Sequence, residues 1–282
     1  MRRLKSPRMA RKRAFGTLLV LFALVVLAVP ILAITWGQKD TSSRYPEVGD
    51  IVYVTSGGDT GGFCSGTLIH PRVFLTAGHC TTPLAYYWSL GAIEHVSVSF
   101  DADPFGAGAT MHEVVDIVTH PEYAGLKPMS DPHDLGLLIL KEAVEDITPA
   151  TLPSEGFLDD LRANGLLGHG TNGAKFTVVG YGDSLGFPPP RFYSEDVRQF
   201  GFSEFRALLP GWLRMSQQGR TGDQGTCYGD SGGPTFWESG GSRTIVATTS
   251  WGDAQCVTSE FNYRVDLPGS LAFIYGVIDG LD

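Results

Sequence analysis

Short apolar runs, separated every few residues by Gly, Pro, Asp or Asn, are the feature that most constrains the fold of this chain. Val96, Val98 and Phe100 alternate with serines, a pattern typical of a strand with one buried face. Six similar runs lie at residues 51–54, 114–118, 135–140, 176–181, 212–215 and 245–249. Many short strands joined by frequent turns predict an all-β protein built from antiparallel barrels or a sandwich.

Helical periodicity is rare. Residues 155–163 and the stretch after Pro268 are predicted to be helical, the second as a C-terminal helix. Segment 183–191 contains three consecutive prolines, and because proline cannot donate a ladder hydrogen bond, we expect a surface loop there. A break near residues 148–153 divides the chain into halves of similar size.

The first 33 residues carry seven basic side chains, no acidic one, and an apolar stretch at residues 14–33. A basic region followed by an apolar one is typical of an export signal. This stretch is longer than the usual signal core and approaches the length of a membrane span. A cleaved signal peptide and an uncleaved anchor therefore both remain open. Either alternative places the rest of the chain outside the cytoplasm, secreted or anchored to a membrane.

Net charge excludes one class of partner. The whole chain carries −9, but removal of residues 1–33 leaves 14 basic against 30 acidic side chains, a net charge of −16. A surface this acidic repels phosphate groups and anionic membranes. Nucleic acid is therefore not expected as a partner.

Three segments carry residues whose side chains can take part in catalysis. They are 75–80 (Leu-Thr-Ala-Gly-His-Cys), 133–140 (His-Asp followed by an apolar run) and 229–234 (Gly-Asp-Ser-Gly-Gly-Pro). Taken singly, each has a structural explanation as a surface histidine, a strand start or a glycine-rich loop. Together they supply the hydroxyl nucleophile, imidazole base and carboxylate that acyl transfer by serine requires. The glycines permit a tight turn that aims backbone N–H groups at a developing oxyanion.

In this combination the chain resembles the trypsin/chymotrypsin-like serine peptidases. The family's order of His, Asp and Ser matches His79, Asp134 and Ser231. Further matching blocks lie at residues 64–69, 180–182 and 250–252. The two blocks around the histidine and the serine are highly specific, and their occurrence in this order is more specific still.

The resemblance covers nearly all of residues 34–282 and implies a fold. That fold is two antiparallel six-stranded β-barrels with the active site between them and a C-terminal helix. The midpoint break then assigns residues 34–150, with His79 and Asp134, to the N-terminal barrel. Residues 151–282, with Ser231, form the C-terminal barrel and its helix.

The resemblance also implies the role of each site residue. Ser231 attacks the scissile carbonyl, His79 takes and returns its proton, and Asp134 fixes the imidazole tautomer. The N–H groups of Gly229 and Ser231 form the oxyanion hole. The cleft that receives an extended peptide is expected to be lined by Ser250, Trp251 and Gly252.

Four cysteines in an exported chain favour two disulfides, and the sequence permits three pairings. Pairing of sequence neighbours closes loops worth about 3–4 kcal/mol each. A metal site is disfavoured, because neither Cys-x-x-Cys nor His-x-x-x-His spacing occurs. The resemblance implies that a Cys64–Cys80 bridge braces the loop of His79, and that Cys227–Cys256 ties the nucleophile loop to the pocket wall.

Members of this family gain activity when a new N-terminal amine pairs with the Asp before the nucleophile, here Asp230. Ile34 begins Ile-Thr-Trp-Gly, which partly matches the family's Ile-Val-Gly-Gly terminus, and it follows Ala33, a small residue suited to signal peptidase. We hypothesise that signal removal after Ala33 itself creates the amine. The alternatives are an anchor that stays uncleaved at Ile34 and a cut elsewhere, such as after Arg44.

Substrate preference depends on two positions. The resemblance places Gly225 at the base of the specificity pocket, and a neutral base favours an apolar side chain, aromatic or aliphatic, before the cut. Glu260 lies in the segment that forms the far pocket wall and would select basic side chains if it pointed inward. Because charged side chains are rarely buried unless paired, a solvated Glu260 is the favoured interpretation.

A catalytically silent binding protein of the same fold is the alternative function. It is disfavoured because the triad and its glycines are intact. An α/β-hydrolase esterase is disfavoured by the order of the candidate residues, because that class places Ser first and His last, whereas here the order is His, Asp, Ser. Nothing in the sequence indicates a cofactor, a metal or an oligomer. We therefore expect a monomer acting on protein or peptide substrates.

Overall fold

A computed structural model describes residues 34–125, 130–169, 173–186, 191–193 and 196–281. The expected signal or anchor segment, residues 1–33, lies outside these ranges. No helix in the described ranges has both the length and the apolar character needed to cross a membrane.

The described residues form strands, three α-helices and one 3-10 helix. In chain order they are β1 (Gln38–Lys39), β2 (Val48–Thr55), β3 (Thr60–His70), β4 (Val73–Thr76), α1 (Gly78–Ser89), β5 (Ile93–Ser99), β6 (His112–Thr119), β7 (Gly136–Leu140), α2 (Phe157–Ala163), β8 (Lys175–Gly180), β9 (Ser184–Gly186), β10 (Arg191–Tyr193), β11 (Gln199–Leu208), β12 (Trp212–Ser216), the 3-10 helix Gly219–Thr221, β13 (Pro234–Ser239), β14 (Ser242–Gly252), β15 (Ser259–Arg264) and α3 (Pro268–Ile278).

Two closed antiparallel barrels of six strands each form the body. The N-terminal barrel closes in the order β2-β3-β4-β7-β6-β5. The C-terminal barrel closes in the order β8-β11-β12-β15-β14-β13, because β8 pairs with both β11 and β13. The prediction of two six-stranded barrels is confirmed. All seven predicted apolar runs lie in or overlap strands, and both predicted helices form as α2 and α3.

Three elements differ from the sequence prediction. Helix α1 was not predicted, because it contains Pro83 and buries mainly small residues, which leaves no apolar periodicity. Strand β1, assigned by sequence to the N-terminal half, pairs with β11 of the C-terminal barrel. The predicted loop 183–191 is partly wrong: β9 and β10 pair as a separate hairpin, and the proline run lies outside the described residues.

A fully buried ion pair and a shared core join the two barrels. Arg198 donates to Asp40 at 2.9 Å, to the carbonyl of Phe100 at 2.7 Å and to the hydroxyl of Tyr181 at 3.0 Å. Tyr181 in turn donates to the carbonyl of Val48 in β2 at 3.1 Å. One apolar cluster contains residues of both barrels. This interface fixes the relative positions of the loop that carries His79 and the loop that carries Ser231.

Candidate active site

The register of β4 and β7 brings a histidine to a carboxylate. Thr76, the last residue of β4, pairs with Gly136, the first of β7. In an antiparallel pair, the residues that follow one strand meet those that precede the other. His79 and Asp134 occupy these places, with Nδ1 of His79 at 2.9 Å from Oδ2 of Asp134. The backbone N–H of His79 also donates to Oδ1 at 2.8 Å.

Asp134 is fully buried and its carboxylate is fixed from several sides. Besides the two contacts to His79, its Oδ2 accepts a hydrogen bond from the hydroxyl of Ser250 at 2.5 Å. Sequence analysis assigned Ser250 to the substrate cleft and did not foresee this contact. Because an ionised carboxylate only accepts, Nδ1 of His79 carries the proton and Nε2 keeps the lone pair that a general base needs.

The turn of Ser231 precedes β13 and packs against Thr76 and Ala77, just before His79. Gly229 and Gly232 have φ angles of 92° and 79°, which side-chain-bearing residues rarely adopt. A Cβ placed on Gly232 would lie 2.0 Å from Oγ1 of Thr76 and 2.8 Å from the backbone nitrogen of Ala77. Only glycine permits this approach. It brings the turn of Ser231 to the residues just before His79.

The N–H groups of Gly229 and Ser231, predicted to form the oxyanion hole, have no acceptor within the described part of the chain. Ser65, which sequence analysis missed, holds the carbonyl groups of the same two residues. Its N–H donates to the carbonyl of Ser231 at 2.9 Å and its hydroxyl donates to the carbonyl of Gly229 at 3.0 Å. The N–H of Tyr181 donates to the hydroxyl oxygen of Ser65 at 2.9 Å. The only sequence signal was the position of Ser65 in the matching block 64–69.

Two disulfides flank these loops. Cys64–Cys80 joins β3 to α1 directly after His79, with Cα atoms 6.3 Å apart. Cys227–Cys256 joins the nucleophile loop to the segment after β14, with Cα atoms 5.4 Å apart. The sulfurs beside His79 are bonded to each other, so they are not available as metal ligands.

Asp230, directly before the nucleophile, is fully buried. Its carboxylate accepts hydrogen bonds from the N–H groups of Gly182 and Cys227, both at 2.8 Å. Burial raises the pKa of Asp230 to about 7, and the negative charges of Glu260 and Asp183 add to the shift against these two donors. The described residues supply no cation to this carboxylate.

Ile34, the predicted partner of Asp230, lies inside the C-terminal barrel. Its side chain is fully buried, and the next residue, Thr35, pairs with Gly225 through backbone hydrogen bonds of 2.9 and 3.3 Å. No hydrogen bond joins Ile34 to Asp230 among the described residues of this uncut chain. The segment around Ile34 is therefore docked beside the predicted pocket base.

The interpretation of Glu260 as a solvated surface charge is wrong. Glu260 lies in β15 opposite Gly252 of β14 and is fully buried. Its Oε2 accepts from the N–H of Thr226 at 2.8 Å and from the hydroxyl of Thr226 at 2.5 Å. Burial raises the pKa of Glu260, and the Thr226 donors oppose this shift. Sequence analysis failed here because it could not see these donors, which compensate part of the cost of burial.

The second carboxylate oxygen of Glu260, Oε1, lacks the hydrogen-bond donors that Oε2 has. Its Oε1 is buried and has no hydrogen-bond partner among the described residues. The nearby hydroxyl of Ser203 donates instead to the carbonyl of Ser216 at 2.6 Å. Gln217 donates at 3.3 Å to Oε2, and its Cγ lies 2.2 Å from where a Cβ on Gly225 would stand. Gln217 therefore covers Gly225, and the Oε1 acceptor of Glu260 remains unmatched.

Trp251 and Gly252, the remaining predicted cleft residues, end strand β14. Trp251 stacks on Phe261 with ring centroids 3.9 Å apart and planes 4° apart. Its other face is partly exposed, and Gly252 is exposed. An exposed strand end next to the nucleophile turn leaves a backbone edge to which a peptide can pair.

Comparisons with known proteins agree with this geometry. The sequence model of the trypsin family ("Trypsin") matches residues 34–267. CLIP domain-containing serine protease B4 of Anopheles gambiae is 26% identical over 235 residues, covering 78% of this chain and 63% of that protein. Melanization protease 1 of Drosophila melanogaster is 26% identical over 244 residues, covering 78% of this chain and 59% of that protein. The chain thus spans less than two thirds of the length of these two relatives.

Two other matches cover a larger share of the matched protein. Trypsin, alkaline B of Manduca sexta is 23% identical over 266 residues, covering 88% of this chain and 93% of that protein. The solved structure of HL collagenase superposes with a TM-score of 0.62 at 18% identity, covering 88% of this chain and all of that one. At this identity the superposition shows the same fold.

Proposed function

The chain belongs to the trypsin family of serine peptidases, and we propose that it is an exported serine endopeptidase that works through an acyl-enzyme intermediate. One observation carries this proposal: the His79–Asp134 pair lies against the turn of Ser231, where the two oxyanion-hole N–H groups have no other acceptor. The two disulfides and the basic, apolar N-terminal segment support export, with membrane retention as the alternative.

The chemistry follows from these positions. Nε2 of His79 takes the proton of the Ser231 hydroxyl while Oγ bonds to the scissile carbonyl carbon. The carbonyl oxygen becomes an oxyanion that accepts from the N–H groups of Gly229 and Ser231. The imidazolium then gives its proton to the leaving amine, which departs and leaves the acyl-enzyme. Water, deprotonated by His79, releases the acid by the reverse sequence. Asp134 stabilises the imidazolium in both halves.

A serine-directed phosphonate and a mixed peptide library test this function. The full-length exported protein is expected to bind the phosphonate covalently at Ser231 and to cleave the library. Ser231→Ala should lose both properties, whereas Ser242→Ala, at an exposed position of the same barrel, should keep them. Peptide binding without cleavage, in protein whose N-terminus is Ile34, would favour the silent binding alternative.

We also propose that signal removal after Ala33 produces the amine that neutralises Asp230. The docked position of Ile34 beside Gly225 supports this, as does the buried carboxylate of Asp230 with no cation. A buried, unpaired carboxylate is costly, and a nearby amine removes that cost. N-terminal sequencing of the exported protein should give Ile34 as the first residue. Any other first residue contradicts the proposal.

Finally, we propose that the pocket prefers a basic side chain before the cut. Glu260 supplies the charge, since its Oε1 is buried and unmatched. A lysine or arginine side chain brings both a donor and a positive charge to that oxygen. Gly225, by contrast, offers no side chain and is covered by Gln217. The preference expected from a neutral Gly225 base alone is thereby reversed.

A further inference from the structure

Two histidines stack beside the segment that carries the catalytic carboxylate. The imidazole centroids of His120 and His133 lie 4.7 Å apart with planes 17° apart. One nitrogen of each ring and a carboxylate oxygen of Glu122 all lie within 4.8 Å of one another. The histidines are 13 residues apart in the sequence, a spacing that matches no metal motif. Only the pairing of β6 with β7 brings them together.

A carboxylate lies near the far side of the His133 imidazole. Nδ1 of His133 is buried, makes no hydrogen bond among the described residues and lies 3.6 Å from Oδ1 of Asp131. The hydroxyl of Tyr263 donates a hydrogen bond to Oδ1 of Asp131 at 2.6 Å. The backbone of Gly269 lies close to the ring of His120. In metal sites a carboxylate or a carbonyl in this position accepts from the outer ring nitrogen and orients the histidine, and Asp131 is placed to do so once the His133 ring moves toward it.

The opposite nitrogens both face Glu122. Nε2 of His133 lies 3.8 Å from Oε2 of Glu122. Nδ1 of His120 accepts a 3.2 Å hydrogen bond from the N–H of Glu122, so its lone pair points to that side, and zinc at this nitrogen would replace that hydrogen bond. Glu122 itself is 70% exposed and free to adjust. Two imidazole nitrogens and one carboxylate are a ligand set that Zn²⁺ accepts, with water in the fourth position.

We propose that His120, Glu122 and His133 form a zinc-binding site, and that zinc bound there lowers the turnover of the enzyme through Asp134. The first half of this proposal stands on the cluster alone. The second half rests on the proposed peptidase function.

The link to catalysis is geometric. Ligands at about 2.0–2.1 Å from a tetrahedral zinc lie about 3.3 Å apart, so the cluster must contract when the metal binds. His120 is backed by the ring of Phe273 at 4.7 Å, so His133 is the imidazole that moves. His133 has a φ of 54° and directly precedes Asp134. Displacing Asp134 tilts His79 away from Ser231, and misplacements of about 1 Å can cost 10²-fold in rate.

Zinc binding is measured first by titration calorimetry on full-length Ser231→Ala protein, so that the result does not depend on activity. One zinc per chain is expected. Glu122→Gln and His133→Asn should each weaken binding at least tenfold. Glu122→Gln alters only an exposed side chain, and asparagine tolerates the positive φ of position 133. His95→Asn is the matched control, because His95 contacts Glu94 at the same 3.8 Å outside the cluster. Equal affinity in the wild type and both cluster variants, or an equal loss in His95→Asn, overturns the site.

Hydrolysis is then followed in the active protein with and without zinc. Zinc is expected to lower kcat at least tenfold with KM changed less than twofold, and EDTA should restore it. Glu122→Gln should resist zinc, and His95→Asn should respond like the wild type. Zinc binding at the cluster with unchanged kcat overturns the regulatory half alone. Inactivity of the metal-free wild type would count against the peptidase function and leave the binding result intact.

Discussion

Replacing Glu260 by glutamine tests how the pocket recognises its substrate. The amide keeps an oxygen that can accept from Thr226 and replaces the unmatched Oε1 with an NH₂ group. Because Glu260 is fully buried, a substrate cation meets its carboxylate with little screening by water. Loss of one partner of a buried, hydrogen-bonded charge pair costs about 2–5 kcal/mol. A loss of about 3 kcal/mol corresponds to about 10²-fold in kcat/KM.

The assay uses two chromogenic peptides that differ only before the cut, one with lysine and one with norleucine, which has nearly the same shape and no charge. The lysine-to-norleucine ratio of kcat/KM should fall about 10²-fold in Glu260→Gln, with the norleucine rate unchanged or raised. Glu155→Gln, which removes an exposed charge from the same half of the chain, should leave the ratio unchanged. A wild type that prefers norleucine, or a variant with the same ratio, would refute the argument.

Three further predictions concern catalysis and stability. Asp134→Asn should lower kcat about 10⁴-fold with unchanged circular dichroism, because the imidazole tautomer is lost; normal turnover would remove Asp134 from the triad. Arg198→Met should lower the free energy of unfolding by about 3–5 kcal/mol, because it leaves the buried Asp40 unpaired, and should lower Tm by about 6–20 °C in calorimetry. The uncut chain should lose stability as pH rises from about 4 to about 7, because folding raises the pKa of Asp230 to about 7 and the folded state keeps a proton that the unfolded state releases. Asp230 accounts for about 4 kcal/mol of this loss, and urea titrations should find the loss smaller by that amount in Asp230→Asn and after cleavage before Ile34, while the part due to the raised pKa of Glu260 stays.

The proximity of His79, Asp134 and the turn of Ser231 could be predicted from the sequence, because short and specific sequence blocks contain these residues. Strands with clean alternation were also predictable, since their periodicity does not depend on distant partners. Ser65 and the cluster of His120, Glu122 and His133 could not be found in this way, because only barrel closure brings their partners near. Glu260 was misjudged for a related reason. Charged side chains are usually exposed, but a carboxylate can be buried where donors such as those of Thr226 form hydrogen bonds to it.

The pairing of Thr35 with Gly225 has a consequence for the order of events during export. Ile34 becomes inaccessible only once Gly225 has been synthesised and folded against its neighbour, about 190 residues later in the chain. At synthesis rates of about 5–20 residues per second, this leaves a window of about 10–40 s. A peptidase that acts before Ile34 must cut within that window or meet a bond next to a buried residue. Under the proposed cut before Ile34, cleavage of the chain and folding around Gly225 therefore compete in time.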